Sequence, residues 1–130
     1  MINQDAVRSA LKRKLTRTID ALELLLISKR PYTVYDAHDI SETTIRKLKL
    51  QLELNSILLE EAKDNGEKKK LKGEREELQD DLSMELDEGL DILNALSTSL
   101  RLDGREDLAR QFEILRDVRE SELNELKGSS

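Results

Sequence analysis

The sequence predicts an all-α fold, an antiparallel bundle of about four helices with a long central coiled-coil-like hairpin, and three observations carry that expectation. The chain is 37% hydrophobic and 38% charged but only 2% aromatic. Its core must therefore be built from Leu, Ile, Val and Ala, which suits helices with one aliphatic stripe and one solvated face and suits sheets poorly. Those aliphatic residues recur at three- and four-residue spacings, the repeat of one helix face. Breakers stand between the periodic stretches: Pro31 is the only proline, and Gly66 and Gly104 mark the later boundaries. A length of 130 residues is that of one domain. We assign 1–127 to it and 128–130 to a frayed, disordered tail.

The first helix, about 5–29, carries Val7, Leu11, Leu15, Ile19, Leu22 and Leu26 on one face, with Asp5 as its N-cap and Lys29 and Arg30 at its negative end. Residues 30–40 (RPYTVYDAHDI) lack a helical period and read as the longest loop, after which Ser41 caps a second helix. That helix, about 41–64, has Ile45, Leu48, Leu52, Leu59 and Ala62 in alternating 3,4 spacing, interrupted by Asn55. Leu50, Leu54, Ile57 and Leu58 form a flanking stripe. A stripe so broad calls for more than one neighbour, hence a bundle. Asp64, Asn65 and Gly66 supply a left-handed cap and a tight reversal.

The third helix, about 67–100, opens as a solvated stretch (EKKKLKGEREE) and becomes amphipathic through Leu78, Leu82, Leu86, Leu90, Leu93, Leu96 and Leu100. Gly73 is the alternative position for the turn, because glycine costs about 1 kcal/mol relative to Ala inside a helix. Asp103 and Gly104 break the chain. A fourth helix, about 105–127, uses Leu108, Phe112, Leu115, Val118, Glu122 or Leu123, and Leu126.

The absence of cysteine removes disulfides, thiol catalysis and thiolate metal sites, and fits an intracellular, cytoplasmic setting. No apolar run reaches the roughly 20 residues of a membrane span. His38 is the only histidine, and no GxSxG, HExxH or glycine-rich phosphate loop surrounds it, so it reads as an ordinary surface residue. Asp87, Glu88 and Asp91 share helical spacing but lack both an Exx-His partner and the glycine turn of a calcium loop. They read as a solvated face or a surface for a basic partner. No enzyme, cofactor, metal or small-molecule substrate is expected.

The net charge is −6, unevenly spread. Residues 1–19 set Arg8, Lys12, Arg13, Lys14 and Arg17 against Asp5, a balance of +4. Residues 73–100 set nine acids against Arg75, a balance of −8. The basic residues Arg8, Lys12, Arg13 and Arg17 could meet phosphates, which makes nucleic acid one candidate partner. Missing interleaved aromatics and the acidic total favour a protein partner instead, with neutralisation inside the bundle. Tyr32 and Tyr35 read as a short peptide motif or phosphorylation site, or as rings capping the bundle end. Leu48, Leu52 and Leu59 are candidate contact residues, with Asn55 fixing register between paired helices or facing outward.

The order of these segments resembles a known family. LKRKLTRTIDALE (Leu11 to Glu23), a polar loop, ISETTIRKLKLQLELNSILLEEA, an acidic break and ELQDDLSMELDEGLDILNAL are together similar to the N-terminal helical region of Gag-like polyproteins from BEL/Pao-type retrotransposons. There a basic helix with a Thr-Arg pair, here Thr16-Arg17, precedes a helical hairpin. The likeness spans about residues 8–97. This chain departs from it by lacking aromatics in the hairpin and any capsid, zinc-knuckle or protease motif. The resemblance implies a structural, assembly or interaction role and no catalysis. With the broad stripes and opposed charges, it leads us to expect a non-enzymatic, self-associating interaction module.

Overall fold

The computed structural model describes residues 3–128 and contains four α-helices: α1 (Gln4–Ser28), α2 (Val34–Glu61), α3 (Asn65–Leu102) and α4 (Glu106–Gly128). Each helix packs most closely on the next one in sequence, giving an up-down-up-down bundle. The helix count, order and bundle architecture match the sequence expectation, and several boundaries move.

The largest change is at the first connection. Only Lys29–Thr33 is non-helical, and α2 begins seven residues earlier than the period suggested, at Val34 rather than Ser41. The cause is a reciprocal cap. Asp36 N–H donates to Thr33 Oγ1 at 3.1 Å and Thr33 N–H donates to Asp36 Oδ2 at 3.2 Å, satisfying two otherwise orphaned amides. Ser41 is consequently no cap but a buried mid-helix residue. At α1 the cap is Asn3, not Asp5: its side chain accepts from Asp5 N–H at 3.0 Å and Ala6 N–H at 3.4 Å. The α2–α3 reversal uses no left-handed residue. Ala62 is extended, Asp64 accepts from Gly66 N–H at 3.3 Å, and Gly66 lies inside α3.

Gly73 is not a turn, since α3 runs unbroken through it for 38 residues, about 57 Å at 1.5 Å per residue. Gly104 does end α3 with φ 79°. Arg105 N–H reaches back to Leu100 O at 2.8 Å and Gly104 N–H to Arg101 O at 3.0 Å, the paired closure that needs a residue with no Cβ penalty. Gly128, expected in a frayed tail, closes α4 as helix, and residues 129–130 of that expected tail lie outside the described residues.

The main core joins three helices: Ile45 and Leu48 of α2, Leu82 and Leu86 of α3, and Leu123 of α4, with Leu52, Leu78, Leu90 and Leu126 around it. A second cluster, Leu96, Leu100 and Ala109 with Leu108 and Phe112, closes the α3–α4 end. The α4 stripe therefore passes through Ala109, and Val118, expected inside, is exposed. From α1 the fully buried residues are Leu15, Ile19 and Leu22. Val7 and Leu11, expected on the buried stripe, are exposed at the end of α1 where Arg8 and Lys12 pair with Glu60 and Glu61 of α2.

Candidate functional site

Two regions of the surface depart from the ordinary pattern of a solvated bundle. One is the corner where α1 turns into α2. With Leu22 directed at α2, Leu24 and Ile27 fall around the far side of α1, and they are 69% and 70% exposed. Tyr32 in the connection is 86% exposed, and Leu25, Val34 and Tyr35 are also open to solvent. Six large apolar side chains within residues 24–35 thus lie uncovered at one end. The tyrosine rings do not cap the bundle. That position is held by His38, whose ring meets Phe112 edge-on at 5.3 Å, so the expected surface histidine is half-buried between α2 and α4.

The corner continues into a groove of about 440 Å³ between α1, α2 and α4, lined by Leu22, Leu25, Ile45, Arg46 and Arg119 among others. Its wall is an ion-pair ladder. Arg119 donates to Glu42, with Nε at 3.1 Å from Oε1, and also pairs with Glu122, which in turn pairs with Lys49. Hydrogen bonding to Glu42 pushes the Arg119 pKa above its ordinary range although desolvation works against it. Burial alone would raise the Glu122 carboxyl, but hydrogen bonds from Lys49 and Arg119 outweigh it and hold it low. The ladder ties α4 to α2 and leaves the neighbouring corner without polar cover.

The sequence-derived candidates separate sharply once placed. Leu48 and Asn55 are buried, Leu52 packs on the core and Leu59 is half-buried, so this stripe is consumed inside the molecule. Asn55 does not face outward. Its Nδ2 donates to Leu71 O at 2.9 Å, and its Oδ1 accepts from Arg75 Nη1 at 3.4 Å, while the same guanidinium donates to Ser56 Oγ at 2.7 Å. The polar residue thereby pins α2 against α3 at one register.

The basic run of α1 also divides. Arg8 pairs with Glu60 at 3.2 Å and Lys12 with Glu61 at 2.7 Å, so its neutralising acids come from the end of α2 rather than from the acidic stretch of α3. Arg13 and Arg17 are exposed on the outer side of α1. The same antiparallel packing places the first turns of α3 at this end, a second basic segment whose sequence pattern predicts only a solvated face.

On α3, Asp87, Glu88 and Asp91 are exposed, and among its carboxylates Glu85 has a raised pKa, from burial and then from Glu88 and Asp81. Among the described residues no three His, Asp or Glu side chains converge as a metal ion would require. No helix of the described residues is long and apolar enough to cross a membrane. Compared with known proteins, the chain matches no family model, no curated protein and no solved structure.

Proposed function

We propose that this chain is a non-enzymatic helical interaction module that assembles with copies of itself through the α1–α2 corner. The observation that carries the reading is the set of exposed apolar side chains Leu24, Leu25, Ile27, Tyr32, Val34 and Tyr35. Exposed apolar side chains gathered at one end, beside a groove and a polar rim, are what association buries. Surface area supports the same reading. A folded monomer of 14.9 kDa exposes about 7,000 Å² by the usual scaling. This chain exposes 8995 Å², and the surplus of roughly 2,000 Å² exceeds the ~800 Å² that each partner contributes to a standard interface. A second copy is the favoured occupant because one corner can serve both partners in a two-fold, self-complementary contact.

The specific form we favour is Gag-like assembly for a retroelement, supported by the Thr16-Arg17 basic helix and the leucine-rich hairpin that follows it. Sedimentation velocity across micromolar concentrations tests the general reading. The native chain is expected to associate, and L24S/I27S/Y32S to remain monomeric. Removing three anchors worth roughly 1.5 kcal/mol or more apiece when buried weakens association at least a hundredfold. A native chain that stays strictly monomeric overturns the proposal. Electron microscopy of the concentrated protein tests the specific form: extended particles or sheets support Gag-like assembly, and discrete dimers alone count against it.

A further inference from the structure

The end of the bundle opposite the apolar corner carries cations that the fold leaves unpaired. Between Lys63 and Lys72 stand five lysines against Asp64 and Glu67, in a chain whose net charge is −6. Residues 63–70 are all exposed. Lys68, Lys69 and Lys72 share a groove of about 420 Å³ with Asn65, Gly73 and Glu76. Gly73 has nothing within 4 Å of the place its Cβ would take, so the backbone lies bare beside the lysines. Among the described residues none of these lysines has an ion-pair partner, whereas Asp64 is engaged in capping Gly66. The carboxylates on the adjoining turn of α2, Glu60 and Glu61, are taken up by Arg8 and Lys12. Arg8 and Lys12 of α1 therefore act here by neutralising acids, and the lysines of α3 remain exposed without an ion pair, as do Arg13 and Arg17 farther along the outer side of α1.

We infer that this lysine end binds the phosphate backbone of double-stranded nucleic acid without reading its sequence. Clustered unpaired cations release condensed counterions from a phosphate chain, and a duplex carries the denser charge. Tyr32, Tyr35 and Phe112, the three aromatic residues, all lie away from 63–73, so no stacking platform favours a single strand. An anionic bilayer is the less suitable partner. The one leucine of the segment, Leu71, is buried under Asn55, so the lysine segment itself presents no apolar side chain to insert.

Fluorescence anisotropy with a labelled DNA duplex, the corresponding single strand and phosphatidylserine vesicles tests the inference on the full chain. The duplex is expected to bind more tightly than the strand. Affinity should fall about a hundredfold between 50 mM and 200 mM salt, as roughly four phosphate contacts require. K68E/K69E/K72E should abolish binding while leaving the helical circular dichroism and the sedimentation profile unchanged, and R13E/R17E should change affinity no more than about threefold. The inference is overturned by the absence of duplex binding at low salt, by tighter binding to the single strand, or by binding to vesicles alone. It fails equally if R13E/R17E abolishes binding while the triple variant does not. A triple variant that alters sedimentation assigns the lysines to contact between copies and also overturns it.

Discussion

Replacing Asn55 probes how α2 and α3 are held in register. The side chain is 4% exposed and joins Leu71 O, 16 residues away, to Arg75. In Asn55→Ala the bond to Leu71 O is lost, at about 1 kcal/mol net. The amide's volume is also vacated beside buried Leu71, and Arg75 loses one of three acceptors. Together these effects predict a loss of roughly 1.5–2.5 kcal/mol, read as a lower urea midpoint with an unchanged slope and a melting temperature lower by about 4 °C per kcal/mol. Asn55→Leu is predicted to cost little. Leu71 O keeps its helical partner and Arg75 keeps Ser56 Oγ and Leu52 O, so no buried polar group is orphaned. Its cost falls on specificity, as faster amide exchange along 52–59. A loss below about 0.5 kcal/mol for Asn55→Ala, or an equal loss for both variants, refutes this account of the network.

The glycines within and just after α3 supply an internally controlled comparison by thermal denaturation. Gly73→Ala meets nothing within 4 Å and should stabilise by about 1 kcal/mol, whereas Gly104→Ala forces a side chain onto φ 79° and should destabilise by about the same amount. At Gly89 a Cβ would sit 3.2 Å from the unpartnered Ser41 Oγ, so Gly89→Ala is expected to gain stability only when combined with Ser41→Ala. Leu86→Ala, in the core at 1% exposure, should cost about 2–5 kcal/mol in urea titration. Two carboxylates should give opposite pH dependences. The depressed Glu122 contributes stability above about pH 4.3 that is lost as pH falls through its lower folded value. Glu122→Gln should therefore be destabilising at neutral pH and nearly neutral in acid. Glu85, raised by burial and by Glu88 and Asp81, is penalised while charged, so Glu85→Gln should stabilise at neutral pH and lose that advantage below about pH 4.3. Parallel pH profiles for the two variants would contradict both assignments.

Of the interaction surfaces, little was legible in advance. Tyr32 and Tyr35 were singled out, but Leu24 and Ile27 were invisible beside the regular stripe of Leu15, Ile19 and Leu22, because a leucine count does not say which face finds a neighbour. The spacing of the lysines at 68–72 predicts only a solvated face for the same reason: nothing in it tells that Arg8 and Lys12 occupy the adjacent acids. The start of α2 was legible in principle. Thr33 and Asp36 stand at capping spacing, and His38, Ser41 and Ile45 already follow the 3,4 repeat.

The sequence by itself determined the class, the number of helices and their order, since periodicity and breakers act through local backbone geometry. It determined the Gly104 turn as well, where only a residue without Cβ takes the required φ cheaply. Tertiary structure alone decided that Gly73 continues a helix and that Gly66 is not a left-handed cap. It also placed Ser41 against Gly89 and Asn55 against Leu71. The Ser41–Gly89 and Asn55–Leu71 contacts join residues far apart in the chain, and burial and charge pairing are properties of such contacts rather than of any one helix.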